Sequence, residues 1–149
     1  MKSVLLVSLI ALTTLALAHE ADCPYCKMKV VQNTKDQDNE VVVKFGNKRI
    51  EYRCLSCVIL DQGRYKSDLV VYAPSEKVGE PVILRRTAGK WTGPEGAVFL
   101  HGFKKHDECA LFSRAFIDRK GWDAYLLKHP NPTAKPLTLA EFIAEVTKK

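Results

Sequence analysis

Apolar and polar residues alternate along the chain with two different periods, and the changes of period mark out the expected elements. Glu40 to Phe45 reads Glu-Val-Val-Val-Lys-Phe, β-branched and dense enough for a strand. Gly46-Asn47 is a turn dipeptide, and Lys48 to Tyr52 returns as a second arm with Ile50 and Tyr52 on one face. From Cys54 to Gln62 the residues Leu55, Val58 and Ile59 fall at helical spacing, with Gly63 as the stop. Met28 to Gln32 alternates weakly, as a short strand does, and Leu69 to Tyr72 reads as a buried strand. Residues 74–81 form a polar loop bounded by prolines.

The second half follows a similar order. Pro81 to Arg86 predicts a strand, Thr87 to Gly96 is turn-rich around Trp91, and Ala97 to Leu100 predicts a short apolar strand. Asp107 is placed to cap a helix in which Cys109, Phe112, Ala115 and Phe116 share a face. Trp122, Tyr125 and Leu126 continue that stripe beyond Gly121. Pro130, Pro132 and Pro136 exclude helix or central strand from the segment that His129 opens. Thr138 and Glu141 then form a capping box for a last amphipathic helix that buries Leu139, Phe142, Ile143 and Val146. The expected fold is α+β: two small ββαβ-type units, about 23–74 and 80–128, with helices packed on short sheets. A proline-rich linker at 129–137 and a C-terminal helix at 138–149 complete it.

The N-terminus has a separate purpose. Met1-Lys2 is a short positive start, Val4 to Ala18 is almost wholly apolar, and Ala16-Leu17-Ala18 is a small-x-small signal. Residues 1–18 therefore read as a secretory signal peptide cleaved after Ala18, too short to span a bilayer comfortably. No second long apolar run follows, so the expected mature chain, starting at His19, is periplasmic or secreted without a membrane span. An N-terminal histidine joins a free amine to an imidazole, a pair able to chelate copper.

Of the 149 residues, 46% are hydrophobic and 27% charged, which suits one globular domain of residues 19–128 and its C-terminal appendage. The formal net charge is +6, but the lysines and arginines are scattered, and export removes the nucleic acid that such a charge suggests. The chain lacks G-x-S-x-G, P-loop, dinucleotide and H-E-x-x-H motifs. An enzyme is not expected, a redox-active C-x-x-C aside.

The five cysteines carry the chemistry. Cys23-Pro-Tyr-Cys26 and Cys54-Leu-Ser-Cys57 are two C-x-x-C pairs, the arrangement that turns paired sulfurs toward one ion. A zinc-stabilised interaction module is one outcome of that spacing. Disulfides are a second, since an exported protein permits them. Cys54 and Cys57 also open the expected helix, the place of a redox C-x-x-C, so a periplasmic thiol-disulfide oxidoreductase is a third. Two details favour a soft, exchangeable metal. Met28 follows Cys26 by two residues, so in an extended segment both point to one face, and thioether suits Cu(I) better than zinc. His106-Asp107-Glu108-Cys109 adds an imidazole and a fifth thiol. As plain structure, Met28 and Cys109 would be core residues. His101, at a strand end, and His129 read as surface histidines.

An exported chain with Cys23-Pro-Tyr-Cys26-Lys27-Met28 just after its leader resembles the NosL-like family, accessory proteins of nitrous oxide reductase, whose opening is C-x-x-C-G-M. Tyr52 to Cys57, Trp91, Ala97 to Leu100 and Ala115-Phe116-Ile117-Asp118 are similar to later parts of that family, the last to an Ala-Phe helix. The resemblance implies paired ββαβ units, Cu(I) binding and copper delivery outside the cytoplasm, to or from a cuproenzyme or a copper donor or acceptor protein. It carries over Cys26 and Met28 directly, with Lys27 in place of the family's glycine. Cys109 falls where the family has a methionine, which keeps a soft ligand. Glu20-Ala21-Asp22 before Cys23 is not a lipobox, so lipidation is not expected. The ligand set expected is Cys26, Met28 and Cys109, supported by Cys23, His106, Cys54 and Cys57, with Cu(I) as the metal and zinc as the alternative.

Overall fold

The computed structural model describes residues 21–30, 40–102 and 113–148. A small hairpin opens it: β1 (Ala21–Asp22) pairs antiparallel with β2 (Lys29–Val30). Strands β3 (Val41–Phe45) and β4 (Lys48–Tyr52) form the expected hairpin, with Gly46 at φ 53° in its turn. Helix α1 (Leu55–Leu60) and a 3-10 turn at Gln62–Arg64 lead to β5 (Leu69–Ala73). Then come β6 (Val82–Thr87), β7 (Lys90–Thr92), β8 (Val98–His101), β9 (Ser113–Phe116), α2 (Arg119–Lys128) and α3 (Leu139–Thr147). The class is α+β, with short antiparallel sheets and a C-terminal helix. No helix among the described residues is long and apolar enough to cross a membrane.

The main sheet has five strands in the order β4-β3-β5-β6-β7. The ββαβ order of the first half is present as β3-β4-α1-β5, and β6 and β7 extend the same sheet. The segment expected to be only turn-rich around Trp91 thus contains a strand. Ala88 and Gly89, at φ 47° and 80°, make the tight turn with two left-handed residues that matches the twist of a β6–β7 hairpin. Val41, Val43, Leu69, Val71, Ala73, Val82 and Leu84 are buried at alternate positions, which is the period-two pattern of a sheet covered on one face.

What covers the sheet is α1. Leu55, Ser56, Cys57, Val58 and Ile59 are all buried, and of the six helix residues only Leu60 is partly open to solvent. It touches β3 and β4 on one side and β9 and α3 on another. The β8–β9 hairpin and α3 form the outer layer. Leu137 bridges to Phe99 through paired backbone hydrogen bonds of 2.9 and 3.0 Å, which fastens the proline-rich segment to β8. Thr138 and Glu141 form the predicted capping box, and Phe142 and Val146 are the buried residues of α3.

One expected helix is corrected. Ser113 to Phe116, placed on a helix capped by Asp107, is strand β9, and so is the Ala-Phe pair expected to be helical from the family resemblance. All four residues are buried, and they pair with β8 from Val98–Phe116 to His101–Ser113. A fully buried strand has no alternation to distinguish it from one turn of buried helix. The helix starts later, at Arg119, where the Asp118 side chain accepts from Gly121 N at 2.8 Å. Gly121 lies inside α2 because Glu76, which accepts from Ile117 N at 3.0 Å, fills the space a Cβ would take. Asp107 to Phe112, and with them Cys109 and His106, lie outside the described residues.

Phe142 is the wedge between the layers, fully buried and stacked on Phe99 at 5.4 Å between ring centroids. Phe142→Ala is expected to cost about 3–5 kcal/mol, and Thr138→Ala about 1 kcal/mol. Urea unfolding under reducing conditions checks both.

Candidate metal centre

The first C-x-x-C lies in the loop of the β1–β2 hairpin. Cys23 N donates to Met28 O at 2.8 Å and Lys27 N donates to Cys23 O at 2.9 Å, closing a tight knuckle. Closure puts Lys27 in the left-handed region at φ 65°, where glycine is the residue without strain. The Lys27 ammonium folds back onto Pro24 O at 2.7 Å. The segment from Cys26 to Met28 is therefore not extended, because a left-handed residue separates the two. Met28 packs half-buried against the core.

The second pair flanks and enters α1. Cys54 is its N-cap residue, with an extended backbone, and Cys57 lies one turn in. Arg53 Nη1 donates to Lys29 O at 2.7 Å, which ties the end of β4 to the knuckle. The result brings three sulfurs from the two pairs together: those of Cys23, Cys26 and Cys57 all lie within 4.8 Å of one another. Three sulfurs each about 2.3 Å from one ion stand roughly 4 Å apart, so the spacing suits a single thiolate-bound ion. Cys54 is not a member of this group, although its sulfur is 3.6 Å from that of Cys57. None of Cys23, Cys26, Cys54 and Cys57 is in a disulfide. Exposure separates them: Cys23, Cys54 and Cys57 are 0% exposed, while Cys26 is partly open to solvent.

The electrostatics divide the thiols into acceptors and one proton keeper. The Cys57 thiol, hydrogen-bonded to Cys23, holds the Cys23 pKa down at about 5 from an ordinary 9.0. Burial opposes that shift, and backbone hydrogen bonds from Arg53, Cys26 and Tyr25 reinforce it. Cys54 is lowered to about 7, again through Cys57 first, with burial opposing and the Cys57 N–H and Ser113 hydroxyl helping. Cys57 is pushed strongly up by those same hydrogen bonds to Cys23 and Cys54, by burial and by the two neighbouring charges. A site whose buried thiols differ this much in proton affinity, Cys23 and Cys54 lowered and Cys57 raised, is prepared for a cation to take the place of a thiol proton.

Behind Cys54 stands a polar contact that sequence reading missed. Ser113 Oγ on β9 accepts from Ser56 N at 2.9 Å, satisfying a backbone donor that α1 leaves unpaired. Ser56 Oγ lies 3.2 Å from His101 Nδ1. His101, read from sequence as a surface histidine, is half-buried against Phe142, and burial lowers its pKa. These residues are far apart in sequence, and no local motif joins them. His129 is exposed, as expected, with its ring 4.4 Å from that of Tyr125.

No family profile matches the chain by sequence, and no curated protein does. Among solved structures it is similar to the mercury-bound form of MerB2, with a TM-score of 0.52 and 15% identity. The match covers 70% of this chain and 54% of that one, so the chain spans about half of that protein's length. At this identity the likeness is one of fold. Cys23, Cys26 and Cys57, with their three converging sulfurs, form a site able to hold a soft metal ion.

The lowered Cys23 pKa makes a signed prediction. A group whose pKa falls on folding stabilises the folded state fully above its unfolded value and loses that contribution as pH drops through the folded one. In metal-free, reduced protein, the stability advantage over Cys23→Ser is expected to shrink as pH falls from 9.0 to about 5. Urea unfolding checks the advantage, and the ultraviolet thiolate absorbance of the folded wild type is expected to fall as pH drops through about 7 for Cys54 and about 5 for Cys23.

Proposed function

We propose that this chain is an exported soft-metal carrier that binds Cu(I) through Cys23, Cys26 and Cys57 and passes it to or from another copper protein outside the cytoplasm. The observation that carries the reading is the convergence of three thiols, two fully buried and one open to an exchange partner. Thiolates select soft ions, and three of them complete a low coordination number that Cu(I) accepts, whereas structural zinc takes four ligands. Among the described residues, Cys23, Cys26 and Cys57 are the whole of the cluster.

Three further features support this reading. The left-handed backbone at Lys27 stands at the glycine position of the NosL-like opening motif. A structural neighbour, MerB2, was solved in a mercury-bound form, and mercury is likewise thiophilic. The leader-like N-terminus supports export to the periplasm or beyond, where copper enzymes need a donor. Met28 and Cys109 are the residues that would extend the ligand set, with His106 behind them.

An anaerobic Cu(I) titration against a chromophoric competitor tests the proposal. The reduced wild type is expected to bind one Cu(I). Cys23→Ser, Cys26→Ser and Cys57→Ser are each expected to weaken binding at least a hundredfold, about 2.7 kcal/mol, with the fold retained by circular dichroism. Met28→Leu and Cys109→Ser report whether a fourth soft ligand joins. A tightly held zinc whose removal by chelator unfolds the protein would instead mark a zinc-stabilised module.

A further inference from the structure

Cys57 has two possible partners that exclude one another. As a metal ligand it faces Cys23 and Cys26; as a thiol it stands 3.6 Å from the sulfur of Cys54, its mate in the second C-x-x-C. Closing that gap to a bond of about 2.05 Å needs a movement of under about 2 Å. Such a bond would remove Cys57 from the metal. Cys54 is 0% exposed, as are Cys57 and Cys23, so an oxidant in solution meets none of them directly. Cys26 is the member of the group that solvent reaches, and its sulfur lies within 4.8 Å of Cys57.

We propose that the cysteines form a disulfide relay that discharges the metal site, with Cys26 as entry thiol, Cys57 as carrier and Cys54 as the buried resolving thiol. The proposal rests on Cys23, Cys26 and Cys57 being the metal ligands. The oxidant is a small or protein disulfide, RSSR. The Cys26 thiolate attacks one of its sulfurs, forms Cys26–SR and expels the first RS⁻. Cys57 attacks the Cys26 sulfur, forms Cys26–Cys57 and expels the second RS⁻. Cys54 attacks the Cys57 sulfur, forms Cys54–Cys57 and returns Cys26 as a thiolate. In sum, two cysteines lose two electrons to one disulfide, which becomes two thiols that take up any protons released. The metal ion keeps its valence and loses one of three ligands, and the newly formed RSH can accept it. The end product is sealed in the core, so a reductant must also work through Cys26.

Cd²⁺ is a suitable probe because it is thiophilic and redox-inert, and its thiolate charge-transfer band reports occupancy. Reduced wild-type protein loaded with Cd²⁺ is treated with glutathione disulfide, and peptide mapping assigns the bond among all five cysteines. The expected result is loss of the band together with a Cys54–Cys57 disulfide, both reversed by reductant. Cys54→Ser is expected to bind Cd²⁺ within twofold of wild type but, under the oxidant, to stop one step earlier at a Cys26–Cys57 disulfide, which likewise empties the site. Cys26→Ser is expected to slow formation of the Cys54–Cys57 bond at least tenfold, which tests the entry step independently of Cys54→Ser. Absence of the Cys26–Cys57 disulfide from oxidised Cys54→Ser overturns the relay. So does a final disulfide between other cysteines in the wild type, or an unchanged rate in Cys26→Ser. Failure of reduced wild-type protein to bind Cd²⁺ would sink the metal reading and with it the discharge proposal, while the disulfide map still reports the thiol chemistry separately.

Discussion

Everything in this fold depends on burying a helix of six residues of which only Leu60 keeps some contact with solvent. An isolated helix of that length is unstable in water, because nucleation alone exceeds what its few hydrogen bonds return. It persists because Leu55, Val58 and Ile59 are enclosed between the five-stranded sheet and the outer layer of β9 and α3. The same enclosure fixes Cys57. A fully buried sulfur one turn into so enclosed a helix has few rotamers, so the knuckle of Cys23 and Cys26 meets it at a defined place. Ser113 contributes from the far side by satisfying Ser56 N, a donor that water cannot reach.

Burial also sets a problem that the site solves chemically. Thiolates in an apolar interior are unfavourable, and desolvation raises the pKa of Cys23, Cys54 and Cys57 alike. The cluster answers with hydrogen bonds among the sulfurs that lower Cys23 and Cys54 and raise Cys57, while backbone hydrogen bonds of the knuckle are directed at Cys23. Such an arrangement is costly to half-satisfy and stable when complete. A soft cation in the middle of the three sulfurs would take the place of thiol protons, and because the sulfurs already converge the metal-free protein needs little rearrangement to accept it.

Local pattern made much of this legible in advance. The β3–β4 hairpin, α1, β5, β6, β8 and the capping box of α3 all follow from period, turn residues and caps that lie close together in sequence. So does the importance of the two C-x-x-C pairs. What sequence did not yield is where long-range pairing decides. Ser113 to Phe116 has no alternation of its own, and its strand state comes from β8. The nearness of Cys57 to the knuckle, and the separation of Cys54 from the three-sulfur group, depend on how β4 leads into α1 beside the β1–β2 hairpin. Lys27 gave no signal of its left-handed backbone, since lysine is not the residue expected there, and His101 was read as surface because its partners Ser56 and Phe142 are remote in sequence.

The exposure of the sulfurs, more than their number, governs what kind of metal chemistry the site supports. Four buried thiolates around an ion give a lasting structural centre, since any incoming ligand must first open the core. Three sulfurs with one at the surface do the opposite: a donor or acceptor can add to the ion from the Cys26 side while Cys23 and Cys57 still hold it. On the proposed reading, exchange would proceed through a shared intermediate in which the ion is never free, its direction set by the relative affinities of the two partners. The surroundings of Cys26 suit that encounter, with Tyr25 among the large hydrophobic residues left exposed and Lys27 beside it. On the carrier reading, retention in the core and release at the rim would be separate tasks of separate cysteines, and the knuckle's turn at Lys27 holds the rim ligand in reach of both.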